Sequence, residues 1–225
     1  KTLTARSLLG LIAPNLKLVH GELRVEVDGK EHSPYDPTVT SFKKLNERFR
    51  PLRGSVIGYL PQNAQGGLDP LWSIGRQLRE SLRLNETETE MDPIPWLKRA
   101  GLRDPERVVR LYPHELSGGM AQRASIALAL ARGSRFLLAD EPTTGLDPTI
   151  QEEILAELLS LRDQGVGLLF ITHDLRLVPR IADALLVMHQ GRLVESLNNG
   201  NLDDLVSPAG RALWTATRRI SGARS

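Results

Sequence analysis

The stretch Phe136-Leu-Leu-Ala-Asp140-Glu141-Pro-Thr-Thr-Gly145-Leu-Asp147 decides the fold. Four apolar residues end in two adjacent carboxylates and then a turn. A short run that is apolar throughout reads as a strand buried on both faces, the environment of a parallel sheet covered by helices. Ligands of open parallel sheets bind beyond the carboxyl ends of the strands. Adjacent residues there point in different directions, so one carboxylate can reach a hydrated Mg²⁺ while the next faces an attacking water. A capped strand end followed by an ordinary turn would carry the same letters, and this stretch by itself leaves both readings open.

The flanks extend the pattern in both directions. Helical patterns are predicted over 119–132 and 150–162, and a second apolar run, Val166 to Thr172, follows the latter. Earlier, Ser55 to Leu60 reads as a buried strand that ends at Pro61 and delivers Gln62 into a loop, and Ala184 to Met188 is expected to continue the same sheet. Buried strands alternating with amphipathic helices give an α/β fold with a parallel sheet. Between these strands, Trp72, Ile74, Leu78 and Leu82, a polar break at 85–92, and then Trp96, Leu97 and Ala100 predict an inserted helical lobe over about 71–130. Upstream, Leu3 to Ile12 reads as a helix broken at Pro14-Asn15. Leu23, Val25 and Val27 alternate with charge ahead of Asp28-Gly29, which predicts a short antiparallel strand or hairpin. Residues 30–53 read as a polar surface segment with a short basic helix. A C-terminal extension begins near residue 198, turns helical, and carries Arg211, Arg218, Arg219 and Arg224 as a solvated basic tail.

Composition sets limits on function. The 225 residues suit one large domain or a core with a smaller lobe, and 40% hydrophobic with 25% charged residues is the balance of a globular protein. Lys and Arg number 29 against 27 Asp and Glu, so the net charge of +2 gives no support to nucleic-acid binding. With no cysteine there is no disulfide framework, thiolate metal site or cysteine nucleophile. No apolar run approaches the roughly 18 residues of a membrane span, and the opening residues lack the layout of a secretory signal.

Two further units carry chemistry. Leu116-Ser117-Gly118-Gly119-Met120 runs into a helix, where the glycines admit close backbone approach, the serine offers a hydroxyl, and the helix start presents free N–H groups to an anion. A glycine pair before a helix is also a common turn. Phe170-Ile171-Thr172-His173-Asp174 brings a histidine to a strand end, where it could hydrogen-bond a phosphate and a water.

The order of the units is decisive. Gln62, then Leu116 to Met120, then Asp140-Glu141, then Thr144-Gly-Leu-Asp147, then His173 resembles the Q-loop, signature, Walker B, D-loop and switch histidine of an ABC-type ATPase. More narrowly, Gln62-Asn-Ala-Gln-Gly-Gly-Leu-Asp-Pro70, Tyr112-Pro-His-Glu-Leu-Ser-Gly-Gly-Met120 with Gln122-Arg123, and Ala139 to Pro148 are similar to the dipeptide, oligopeptide and nickel importer ATPases of bacteria and archaea. In the C-terminal region Ser207-Pro-Ala-Gly-Arg-Ala-Leu-Trp214 stands where that family often has a His-Pro-Tyr-Thr-like stretch. The pattern also departs at the start. A P-loop is Gly, four residues, then Gly-Lys-Ser/Thr, and this sequence opens with Lys1-Thr2 directly before a helix, which is expected to be the motif's end, with the N-terminal strand and P-loop glycines missing.

The resemblance implies a P-loop NTPase core of the ABC ATPase type spanning 1–225, with a parallel sheet, an inserted helical lobe and a short antiparallel β element. It implies ATP and Mg²⁺ as cofactors. Lys1 would contact phosphates, Thr2, Gln62 and Asp140 would serve the metal, and Glu141, Gln62 and His173 would act on the attacking water. Ser117, Gly118, Gly119, Met120 and Asp147 would face the nucleotide from a second subunit. The expected partners are that second ATPase subunit, transmembrane permeases and, indirectly, a substrate-binding protein, at the cytoplasmic face of the cell membrane. The expected cargo is a peptide or nickel and chelated metal. A soluble ABC-type ATPase outside transport and a catalytically silent module are the alternatives that the same motifs leave open.

Overall fold

A computed structural model describes residues 1–13, 16, 19–35, 42–85 and 88–222; the predicted break at Pro14-Asn15 and the tail residue Arg224 lie outside them. The chain divides into two compact units, one of residues 2–171 and one of Lys1 with residues 172–225.

The larger unit contains helix α1 (Thr2–Ser7), strands β1 (Val25–Val27) and β2 (Lys30–His32), helix α2 (Phe42–Phe49), strand β3 (Ile57–Leu60), helices α3 (Ile74–Arg83), α4 (Ile94–Arg99), α5 (Pro105–Val108) and α6 (Gly118–Ala131), strand β4 (Phe136–Asp140), helix α7 (Pro148–Asp163) and strand β5 (Gly167–Ile171). Strands β3, β4 and β5 form a parallel sheet with β4 in the middle, Leu60 pairing with Ala139 and Asp140 with Ile171. Side chains alternate across it. Leu137 and Ala139 enter a core with Leu78 and Leu82 of α3, Leu97 of α4, Ala124 and Ala127 of α6, and Ile154 and Leu158 of α7. Leu138 enters the opposite core with Ile57, Leu9, Phe49 and Leu52, flanked by Val25 and Val27. Both faces are therefore apolar, which is why the strand sequence is continuous rather than alternating. The first helix is shorter than the predicted 3–12, ending at Ser7, and Gly10 at φ 63° follows it. Strands β1 and β2 form the predicted hairpin around Asp28-Gly29, so the polar segment from residue 30 begins as a strand.

The smaller unit contains helix α8 (Val178–Ile181), strands β6 (Leu185–His189) and β7 (Arg192–Leu197), and helix α9 (Pro208–Gly222). Here the sequence reading is corrected. Strand β6 does not extend the described parallel sheet but pairs antiparallel with β7 in a sheet of two. Gln190 and Gly191 connect them at φ 48° and 78°, the two successive left-handed residues that a tight hairpin of the right twist demands and that glycine supplies without strain. Val187 packs with Leu175, Val178, Leu202 and Leu205. Glu195 on β7 accepts from the N–H groups of Val206 and Ser207 at 2.6 and 3.1 Å, anchoring the start of α9.

A clamp joins α6 to α7 in the larger unit. Arg123 donates from Nη2 to Glu153 at 2.6 Å and from Nε to Glu157 at 2.8 Å. Burial lowers the Arg123 pKa, but its bonds to Glu157 and Glu153 outweigh that and leave it raised. Burial raises the Glu157 carboxyl above its ordinary 4.5, opposed by the hydrogen bond from Arg123. The folded chain therefore holds this proton more tightly than the unfolded chain, and the group's contribution to stability falls as pH rises above the ordinary value. Replacing Arg123 with Met keeps the volume and removes the opposing bond. Chemical denaturation is expected to show R123M destabilised by about 2 kcal/mol at pH 7, with the deficit shrinking as pH falls and Glu157, whose carboxyl is raised by burial, takes up its proton. A pH-independent deficit would locate the loss in packing instead.

Candidate functional site

The parallel register brings the ends of β3 and β4 together. Asp140 lies two positions after Leu138 and so on the same face of the sheet, and since Tyr59 pairs with Leu138, Asp140 projects from the same face as Tyr59. The Tyr59 hydroxyl donates to Asp140 Oδ2 at 3.2 Å. Asp140 is only 1% exposed, and its Oδ1 is buried without a hydrogen-bond partner. A buried carboxylate oxygen left without a donor is costly unless something cationic or protic meets it, and a single carboxylate with hydroxyl, amide and water neighbours is the donor set Mg²⁺ takes in nucleotide sites. The residues present fit that ion.

Glu141 takes up the next position at φ 50°, a left-handed conformation that costs a non-glycine residue energy and that clusters at functional sites. Its N–H donates to Ile171 O at 2.9 Å, so the kink is fastened to the end of β5. Its Oε2 accepts from Gln62 Nε2 at 3.2 Å and from Thr144 Oγ1 at 3.1 Å. Gln62 is thereby joined to a carboxylate 79 positions away. The turn beyond is braced by Gln151, whose Nε2 donates to Thr143 O at 2.9 Å and Leu146 O at 3.0 Å. Asp147 caps α7 by accepting from Ile150 N at 3.1 Å.

Ser117 caps α6 in the same manner, its Oγ accepting from Met120 N at 3.3 Å. The two glycines after it sit close to neighbouring side chains. A Cβ on Gly118 would come within 2.9 Å of Leu146 Cδ2, and one on Gly119 within 2.6 Å of Ile150 Cγ2. The start of α6 is thus pressed against Leu146 and the first turn of α7, and Ser117 and Gly118 remain exposed.

Of the predicted residues, Gln62, Asp140 and Glu141 form one cluster and Ser117 to Met120 a second with Leu146 and Asp147. Thr2 opens α1 and is exposed. Lys1 and His173 belong to the smaller unit, where Lys1 Nζ donates to Thr172 O at 2.8 Å. There Asp174 accepts from the Arg176 side chain, which holds its carboxyl below the usual range. Sequence reasoning missed Tyr59 and Gln151, and it placed Thr144 in the D-loop-like stretch without a role of its own. The period of two in the strands pointed to Tyr59; Thr144 and Gln151 give no such signal, since their roles come from the shape of one turn.

The model of a family described as ABC transporter matches residues 1–144. The chain is 40% identical over 202 residues to the peptidoglycan transport ATP-binding protein of Agrobacterium fabrum, covering 87% of this chain and 35% of that protein. It is 36% identical over 200 residues to the oligopeptide transport ATP-binding protein OppD of Lactococcus lactis, covering 87% and 56%. A putative peptide import ATP-binding protein of Brucella abortus is 38% identical over 201 residues, covering 87% and 58%. The chain thus spans little more than half, or less, of these curated relatives. Among solved structures, a dimeric bacterial ABC transporter cassette matches with a TM-score of 0.66 at 25% identity, covering 87% of this chain and 79% of that one. A dimeric ATP-binding cassette in a post-hydrolysis state bound to ADP and Pi matches with a TM-score of 0.67 at 24% identity and the same coverage. The fold is that of these cassettes.

Burial, and after it the charge of Asp140, pushes the Tyr59 hydroxyl up from 10.0 to about 12. A raised folded-state pKa contributes stability that is complete below the unfolded value and lost as pH climbs through the folded one. Denaturation between pH 9 and 12 is therefore expected to show the parent chain losing stability between about pH 10 and 12 more steeply than Y59F. Near pH 7 the variant should be less stable by about 1–3 kcal/mol, having left Asp140 Oδ2 without its donor.

Proposed function

The chain belongs to the ABC transporter family, and we propose that it is the ATP-binding and ATP-hydrolysing part of a peptide importer. The observation that carries this reading is the join between Gln62 and Glu141 beside the buried, partly unpartnered Asp140. It gathers at one sheet end an acid suited to a cation, a second acid suited to a water, and an amide that touches the second. In this reading Asp140, Thr2 and Gln62 hold Mg²⁺, which when bound supplies positive charge to the phosphate oxygens. Glu141 accepts a hydrogen bond from the attacking water, and the family resemblance assigns to His173 the orientation of water and terminal phosphate. Lys1 contributes a point charge to the phosphates. Phosphoryl transfer needs chiefly such positioning and charge.

The exposed Ser117 and Gly118 with the capped end of α6, and Asp147 beside them, suit the nucleotide bound by a second ATPase subunit, which agrees with the dimeric state named for the solved cassettes. Peptide is favoured over nickel or a metal chelate as cargo because the quoted relatives are named for peptide, oligopeptide and peptidoglycan transport. No helix among the described residues is long and apolar enough to cross a membrane, so in this reading membrane passage falls to permease subunits, with the chain peripheral on the cytoplasmic side and a substrate-binding protein acting through them.

Steady-state hydrolysis and nucleotide binding test the reading together. Glu141→Gln keeps the shape and removes the charge that acts on water, so turnover is expected to fall by at least a hundredfold while Mg-ATP binding stays within about threefold. Undiminished turnover would remove Glu141 from the chemistry, and absence of ATP binding by the parent chain would remove the reading as a whole.

A further inference from the structure

We propose that Thr144 is a positioning residue for hydrolysis, its hydroxyl fixing the carboxylate of Glu141 from the side opposite in sequence to Gln62. The inference rests on the ATPase reading above.

Three observations carry it. The donors meet on one atom: Thr144 Oγ1 and Gln62 Nε2 lie 3.1 and 3.2 Å from Glu141 Oε2. A carboxylate on a flexible stem has rotamers to lose, and two donors that reach the same oxygen from different elements select one of them before substrate arrives. The backbone that presents Glu141 is also non-standard. At φ 50° the residue departs from the strand, so its carboxylate direction is set by the kink rather than by the sheet. Thr144 N donates to Glu141 O at 3.1 Å, so the two residues open and close one turn.

Finally, that turn is rigid for reasons unrelated to Glu141. Thr143 is buried, and Gln151 on the first turns of α7 ties down both Thr143 O and Leu146 O. The backbone that carries the threonine hydroxyl is thereby held on both sides by the turn and its brace, whereas Gln62 stands in the loop after β3. Of the two donors, Thr144 supplies the fixed reference. The bond also gives the threonine hydroxyl a partner at an exposed site. Loss of an aligned donor to a charged group falls on the step in which that group acts, not on nucleotide binding elsewhere in the site.

The test compares the parent chain with T144V, T144S and T144A, each checked for folding by thermal denaturation, in steady-state hydrolysis of Mg-ATP. Valine keeps the shape and deletes the donor; serine keeps the donor and deletes the methyl. The expected result is a kcat about tenfold lower in T144V and T144A with KM within twofold of the parent, and a kcat within twofold of the parent in T144S. Because Thr144 is exposed, at least the alanine variant should fold if the valine variant does not. Equal loss in the serine and valine variants, a change in KM alone, or unchanged kcat in T144V would overturn the positioning role while leaving the ATPase reading intact. No hydrolysis by the parent chain would overturn that reading, and this role with it.

Discussion

The central position of β4 is the constraint from which the rest of the structure follows. A strand with parallel neighbours on both edges satisfies its backbone entirely within the sheet and must bury side chains on both faces, so Phe136 to Ala139 can be apolar throughout and the polar residues are forced to its end. Asp140 is the last residue in register, paired with Ile171, and Glu141 leaves the strand by a left-handed kink whose N–H still bonds Ile171 O. The chemistry of the site is therefore an edge effect of the sheet. Two adjacent acids are separated in environment by one residue of backbone geometry, the first buried and the second half-exposed among donors.

The same economy governs the second cluster. Glycines before a helix suggest a surface for phosphate, and the exposed Ser117-Gly118 backbone retains that possibility. Yet the contacts a Cβ would make at both positions, on Leu146 and Ile150, give each glycine a structural reason to be there. The two explanations reinforce each other. Pressing α6 against the start of α7 puts the amino ends of two capped helices side by side, and Arg123 fixes the pair again one turn deeper through Glu153 and Glu157. A stretch held this way moves with the turn at 143–147 or not at all, because close-packed contacts and buried ion pairs are not continuously deformable.

What the sequence disclosed follows the length scale of each interaction. Strands β3, β4 and β5 and helices α6 and α7 were legible because their signals are local and repeated: an apolar run, a cap, a 3.6-residue period. Gln62 and Glu141 were legible as motif members, but their direct contact depends on parallel register between strands 79 residues apart, which no local pattern encodes. The misreading of β6 has the same origin. Its apolar letters fit a buried sheet strand as well as a hairpin strand, and the deciding information lay outside it, in Gln190-Gly191 and in the pairing with β7. Tyr59 lay inside the run Ser55 to Leu60 that reads as a buried strand, and its hydroxyl is the part that meets Asp140.

These cases also say where strain is tolerated. Asp28, Glu141 and Gln190 are the described non-glycine residues at positive φ. Two of them open tight hairpin turns, where the following glycine shares the conformation and the paired strands on either side enforce it. Glu141 has no such hairpin. Its conformation is enforced by one backbone bond to β5, by the turn closed at Thr144, and by the brace from Gln151. Three separate restraints on a residue that the strand pattern alone would have left extended imply that the direction of its carboxylate, rather than the stability of the turn, is what the local sequence was fitted to.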